Sequence, residues 1–468
     1  MKERIKSIIL VMLVISNFIL GSKALSNKKL WSEFGYNFFS DGFFSSFLQI
    51  FSHKQPVKTS VEAPEMLIIN TGYQTSRLAL TSADEEFSAL VSLLREYLTD
   101  AFGAASFTRV RSDDFYAALS AKSVLMRYPV SYDSALFAYL LGIPDADFSL
   151  SFSALRNIVV TADACVLVED TQTGHFYRAR TSRPQQQIDL AIDAHAEKGG
   201  DNDAIINYAF DLGFDRSFGS QRTVLSPTIP IYSNEMSLAA VDAKNTLLRA
   251  DGSINESLLH GILNVFDMNP NVLRRYTDAD GTVVFVENNS VLKVSPAGVL
   301  DYTGRDDGVS LSKRGHSSQQ SYVSAAADFV GRVNDAAQCE NAMQLATDVT
   351  ADKLQGQTLE LAFDYIANGR AVLMTEQNVE SAVTLTAENG KITHYRQLLR
   401  SYLPAGEQVT VNDYIYALDD AISQYESQLG GIEIKNMELV YPDNGDEGEK
   451  IPDWNVEVAD ILLAGKEN

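Results

Sequence analysis

Cysteine is almost missing from this chain: Cys165 and Cys339 are the only two in 468 residues. That excludes a disulfide-dense secreted scaffold and any four-cysteine zinc site. One bridge is the most the pair can form, but the two lie in segments assigned below to different domains and are read as unpaired buried thiols. Histidine is also scarce. His53, His175, His195, His260, His316 and His394 are all there are, and none stands at ligand spacing from another. Basic charge is short as well, with 38 Lys and Arg against 61 Asp and Glu and a net charge of −23. Lys2, Arg4, Lys6, Lys23, Lys28 and Lys29 sit in the first thirty residues with only Glu3, so everything beyond carries 32 basic against 60 acidic residues. Such a body repels phosphate backbones and anionic lipid surfaces, and nucleic acid is not expected as a partner.

Catalytic signatures are missing too: there is no GxSxG, HExxH, P-loop or GxGxxG. Ser310 to Lys313 spells SxxK, but in a polar loop with no SDN or KTG downstream. Asp278, Asp280 and Gly281 resemble the start of a calcium loop whose later ligands are absent, so a hairpin turn is expected there. The acidic PDNGDEGEK stretch reads as a solvated hairpin tip. No catalytic residue, cofactor or metal ligand is assigned. A hydrolase would need a carboxylate pair that abundance of acid does not locate.

What is present is a folded protein. A 45% hydrophobic and 10% aromatic composition fits packed globular structure, and the length suggests roughly three units at about 150 residues each. Ser7 to Gly21 carries no charge and follows Lys2, Arg4 and Lys6, the pattern of a cytoplasmic flank before a membrane segment. Fifteen helical residues rise only about 22 Å, and Ser22 and Ala24 suit a cleavage site. Snorkelling by Lys6 and Lys23 extends the usable span to Ile5 through Leu25, which favours an uncleaved anchor. No cysteine is near enough for a lipoprotein anchor. Asn17 is the one strongly polar side chain in the span, placed to hydrogen bond a neighbouring helix or to be hydrated at the outer interface.

The expected layout is α+β. Residues 1–25 form a cytoplasmic tail and a transmembrane helix, and residues 26–65 a juxtamembrane stalk with Trp31, Phe34, Phe38 and Phe39. Residues 66–222 form an α+β domain, and 223–345 and 346–468 two further domains. In the first domain MLIIN (Met66 to Asn70) reads as a strand, and Ser82 with Glu85 as a capping box. The helix that follows has a core stripe of Phe87, Leu90, Val91, Leu94 and Leu98. A helix over Asp113 to Ala121 leads into SVLMRY, stopped by Pro129. NIVVT, CVLVED and HFYRAR read as strands, the last two joined at Gly174.

The last two domains look duplicated. SVLKVSPAGVLDY (Ser290 to Tyr302) matches AVTLTAENGKITHY (Ala382 to Tyr395) at an offset of 92, both as strand, glycine turn at Gly298 or Gly390, and strand. The offset continues into two helices, pairing Tyr322 with Tyr414 and Val330 with Ile422. Upstream, GTVVFV (from Gly281) matches GRAVLM (from Gly369) at an offset of 88. Two copies of an antiparallel sheet with a helix on its face are expected. Near the end Ile432 and Ile434 alternate in one phase and Met437, Leu439 and Tyr441 in the other, predicting a bulge near Lys435 and Asn436. Trp454, Val456 and Val458 mark a last strand.

With these residues in order, the chain resembles the YycH family along nearly its whole length. The helix from Asp113 with SVLMRYP is similar to the family's helix and strand ending in Tyr-Pro. VFDMNP, RRYTDADGTVVFVE and LKVSPAGVLDY resemble its Asn-Pro, charged Gly hairpin and second hairpin closing on Tyr. LVYPDNGDEGEKIPDWNVEV resembles the tyrosine, acidic loop and Pro-x-Trp strand of a YycI-like module, although Asp453 stands where a small apolar residue is usual. The resemblance implies a single-pass cell-membrane protein with a cytoplasmic N-terminus and an extracytoplasmic body. Its last two domains would be YycI-like, and it would be a regulator rather than an enzyme. It would bind a WalK-type sensor histidine kinase and a YycI-like companion and adjust control of cell-wall metabolism. Contact with the kinase is expected through Ile8, Met12, Ile15 and Ile19, with Asn17 hydrogen bonded. The alternative is a secreted or anchored protein that binds a peptide or wall fragment in a cleft between the repeats.

Overall fold

The strand predicted at MLIIN is real: β1 (Met66–Asn70) lies second in a seven-stranded antiparallel sheet. The computed structural model describes residues 61–72, 77–104, 106–143, 151–196, 206–216, 223–232, 236–249, 253–287, 289–304, 308–311, 318–375, 379–425 and 432–459. Residues 1–60, with the expected membrane helix and all of the expected stalk but its residues 61–65, lie outside them.

From β1 the chain runs through β2 (Arg77–Leu80), α1 (Phe87–Ala104), β3 (Thr108–Val110), α2 (Ser112–Ser120), β4 (Ser123–Asp133) and α3 (Ser134–Leu140). It continues through β5 (Ala154–Thr161), β6 (Cys165–Asp170), β7 (His175–Arg180) and α4 (Gln185–Ala196). The strand order is β2-β1-β4-β5-β6-β7-β3. Helix α1 buries the expected Phe87, Leu90, Leu94 and Leu98 and adds Tyr97, Ala101 and Phe102, while Val91 is half-buried. The turn before it is not held by the Ser82–Glu85 box. Thr81 and Asp84, one residue earlier in each case, make the bonds: Asp84 Oδ2 accepts from the Thr81 N–H at 2.6 Å and from its hydroxyl at 3.1 Å. Pro129 also fails to end its strand. The β4–β5 register shifts between Arg127 and Tyr132, and the proline falls in that irregular stretch, where the ladder asks no N–H of it.

Four short or linking strands follow: β8 (Ile206–Tyr208), β9 (Thr223–Leu225), β10 (Pro230–Tyr232) and β11 (Ser237–Lys244). Then come α5 (Glu256–Val265), β12 (Arg274–Thr277), β13 (Val283–Glu287), β14 (Ser290–Val294), β15 (Val299–Gly304), β16 (Val309–Ser310), α6 (Gln319–Ala337), β17 (Met343–Leu345) and α7 (Ala351–Gln355). The chain closes with β18 (Thr358–Ala367), β19 (Arg370–Met374), β20 (Val383–Glu388), β21 (Lys391–Leu398), β22 (Ser401–Thr410), α8 (Tyr414–Tyr425), β23 (Ile432–Asp443), β24 (Gly448–Lys450) and β25 (Asp453–Ala459). A sheet of thirteen strands has the main path β12-β13-β14-β15-β21-β20-β18-β19-β23-β25.

Both glycine hairpins, β14–β15 and β20–β21, are there, and they join edge to edge because β15 pairs with β21. No cleft opens between them at this seam. The strands upstream are arranged differently in the two segments. β13 lies next to β14, whereas β19 is separated from β20 by β18, so GTVVFV and GRAVLM do not hold equivalent positions. Asn368 and Gly369 have φ of 45° and 72°, a two-residue primed turn that folds β19 back on the far half of β18. The near half of β18 is left to pair with β20.

The helices differ as well. α6 packs beside α5 over the seam, with Phe329 edge-on to Phe266 at 5.2 Å. α8 packs on β25 and buries Leu418 against Ile432, Ile434 and Met437. The expected bulge in β23 is present, between Ile434 and Asn436 in its ladder with β25.

Candidate functional site

The seam is closed by aromatic residues. Tyr302 on β15 and Tyr395 on β21 are cross-strand partners, and Phe266 lies against both at 4.7 and 5.4 Å. Their burial would strand polar atoms were it not for a network. The Tyr395 hydroxyl donates to Gln397 Oε1 at 2.6 Å, and Gln397 Nε2 donates to Asn334 Oδ1 at 2.6 Å and to the Tyr365 oxygen at 2.9 Å. Tyr365 in turn donates to the Leu398 carbonyl at 3.0 Å. Cys339 lies beside this network, and burial pushes its thiol pKa up. Cys165 is buried in a separate core, and both thiols are free.

A second polar junction ties the first sheet to β23. Arg127 on β4 donates from Nε to Glu65 Oε1 at 2.5 Å and from Nη2 to Asn436 Oδ1. Burial raises the pKa of Glu65, against the pull of Arg127. On β18, burial holds Asp364 up at about 7, with the charge of Glu438 adding in the same direction. Glu65, Arg127 and Glu438 line a cavity of only about 20 Å³, reached also by Gln344, Arg370 and Tyr232. A second cavity under α1, near Arg95 and Tyr128, is of similar size. Each holds about one water, whereas small-molecule sites run to hundreds of Å³.

Among the described residues the long sheet exposes one end and several side chains of one face, although Val284 on that face is buried. Arg275 lies 5.5 Å from the Phe285 ring and bonds Glu256 of α5 at 2.6 and 2.9 Å, so Arg275 and Thr277 belong to the helix-covered face. Alternation then puts Arg274 and Tyr276 on the other face. One row across that face runs Tyr276, Val284, Lys293, Asp301 and Arg396, and the next runs Arg274, Val286, Val291, Thr303 and His394. All four residues of β12 are exposed, Tyr276 at 51%, and Val272 just before it at 65%. Arg274, Lys293 and Arg396 have no ion-pair partner among the described residues. Between them stands one acid, Asp301, so this end of the face is basic on an acidic protein, whereas Glu360 and Glu388 lie on the same face further along. Among the described residues β12 pairs only with β13.

The residues expected to touch a partner in the membrane, Ile8, Met12, Ile15, Asn17 and Ile19, lie outside the described residues. Among those described, no helix is long and apolar enough to cross a membrane, and no group of three His, Cys, Asp or Glu is placed to hold a metal. DADG forms a hairpin turn, with Gly281 at φ 86° and Asp280 Oδ1 accepting from the Thr282 N–H at 2.9 Å. Ser310 falls on β16, and Lys313 lies outside the described residues. The basic sheet face was missed in sequence, although the RRYT run before the hairpin was visible.

No family model and no curated protein matches the sequence. Among solved structures, YycH from Bacillus subtilis superposes with a TM-score of 0.54 at 10% identity, covering 86% of this chain and 97% of that one. An uncharacterized protein from Eubacterium rectale matches 54% of this chain and 86% of its own at 12% identity, but its TM-score of 0.31 is too low to argue from. By this superposition the mixed α and β fold of this chain is YycH-like.

Proposed function

We propose that this protein is a membrane-anchored extracytoplasmic regulator that binds a WalK-type sensor histidine kinase, together with a YycI-like companion, and adjusts kinase output over cell-wall metabolism. The observation that carries the reading is the YycH-like fold, which extends over 97% of the B. subtilis chain. The uncharged stretch from Ser7 to Gly21 behind Lys2, Arg4 and Lys6 supports an anchor with a cytoplasmic N-terminus. Ile8, Met12, Ile15 and Ile19 would pack on the kinase's own membrane helices, with Asn17 as a hydrogen-bonding group. The body would divide at about residues 222 and 345, the last two parts being YycI-like. The two cavities described above, each about 20 Å³, suit protein contact better than the binding of a small molecule.

Co-purification of the full chain with the kinase from detergent-solubilised membranes, with N-terminal sequencing of the recovered protein, tests this. The proposal expects an intact N-terminus and a kinase-containing complex. A mature chain beginning near Leu25 and free in the medium would overturn it.

A further inference from the structure

The end of the long sheet is where a partner chain can be received. Edge strands expose a row of unpaired N–H and C=O groups, and proteins ordinarily shorten, bulge or cover them. β12 is short but shows no bulge in its register with β13, and among the described residues nothing covers it. Its face carries Tyr276 beside the buried Val284 and Arg274 beside the half-buried Val286, with no ion-pair partner for Arg274 among the described residues and with Lys293 and Arg396 further along the same face. Cations here are unexpected on a chain with net charge −23, where a solvated surface would be acidic on average.

We propose that β12 takes up an extended acidic segment of a partner protein as an added strand of the long sheet. Main-chain bonds to residues 274–277 would supply the pairing, and alternate side chains the choice of partner. The segment would place a carboxylate opposite or diagonal to Arg274, where Lys293 adds to the field, and an apolar side chain against Tyr276. Asp278 and Asp280 lie in the turn after Thr277, so acid on the partner belongs at the Arg274 end and not at the turn end. A second copy of this chain fits less well, since two acidic bodies would have to approach closely. The inference draws its motive from the reading as a partner-binding protein, but it is tested on the purified chain without the kinase. Failure here therefore leaves the anchor and kinase contact standing.

The test is amide hydrogen exchange on the full chain in detergent, titrated with an eight-residue peptide alternating Val and Glu, and in parallel with one alternating Val and Lys. Slowed exchange at 274–277 with the Glu peptide only is expected. The affinity should fall roughly five-fold in Arg274→Glu and fall further with added salt. Arg274 is exposed, so the variant should melt like the parent, and Arg274→Gln serves as a milder second variant. No protection at millimolar peptide, equal protection by the Lys peptide, or protection only at other strands would overturn the proposal. So would protection that appears without peptide and grows with protein concentration, which would identify a second copy as the occupant.

Discussion

Tyr302 and Tyr395 face each other across the seam between β15 and β21, each 1% exposed and each against Phe266. They close the two similar hairpins, yet the second hairpin has one residue more between its glycine and its tyrosine. The extra residue is absorbed as a bulge: Thr386 pairs with His394 and Ala387 with Ile392, leaving Thr393 unpaired. Because side chains alternate, an unabsorbed residue would turn Tyr395 to solvent.

Deleting Thr393 should therefore destabilise less than truncating a single core side chain, since it removes only the bulged residue and leaves Ile392 opposite Ala387, His394 opposite Thr386 and Tyr395 facing the core. Tyr395→Ala should cost about 3–5 kcal/mol through the cavity it leaves. Tyr395→Phe should cost about 1–3 kcal/mol, since it leaves Gln397 Oε1 without its donor. Urea unfolding of the three variants gives the ranking.

Gly298 should be far less replaceable than Gly406, although both have positive φ, 84° and 80°. A Cβ at Gly298 would stand 2.8 Å from Arg400 Nη1 and 2.9 Å from Asn245 Oδ1, whereas Gly406 has open space. Arg400 cannot yield easily: it is 2% exposed and donates to the carbonyls of Ala297, Leu399 and Gly445. Gly406→Ala should lose only the backbone term of about 1–2 kcal/mol, and Gly298→Ala clearly more. Comparing their denaturation midpoints isolates the crowding.

Arg127→Met should be severely destabilising, by about 3–5 kcal/mol, because it leaves Glu65 buried without its partner and Asn436 without its donor. Asn436→Ala should cost less, about 1–3 kcal/mol. Both are read by equilibrium unfolding, and a smaller loss for Arg127→Met than for Asn436→Ala would contradict the junction.

Asp364 gives the stability curve a definite slope. Burial holds its folded pKa at about 7, whereas an unfolded aspartate titrates near 3.9. Between these values the folded protein keeps a proton that the unfolded chain has released. Stability is thus greatest at the acidic end of the window and falls as pH rises through about 7, by at most ~1.4 kcal/mol per unit. Asp364→Asn should flatten unfolding free energy between pH 5 and 8 relative to the parent, as measured by urea titrations across that range.

How much could be read in advance follows from what local patterns encode. The bulge in β23 was visible because the buried phase reverses between Ile434 and Met437, and the α1 stripe because apolar residues recur at helical spacing. Pro129 misled, since a proline ends a strand only where the ladder needs its N–H. The swap of β18 and β19 was not visible in alternation, which identifies a strand but not its neighbour. Asn368-Gly369 was the available signal, a tight-turn pair that joins β18 to β19 directly. The Arg127–Asn436 contact joins residues 309 apart and had no local trace. The basic face needed the register of five strands before Arg274, Lys293 and Arg396 could be placed together.

The most direct test of the account is autophosphorylation of the sensor kinase in membranes, measured with the full chain present, with residues 1–25 replaced by an unrelated membrane helix, and with the chain absent. The account predicts that the full chain changes kinase output and that the helix replacement, although still inserted, loses most of that effect. Identical output in all three preparations would contradict it.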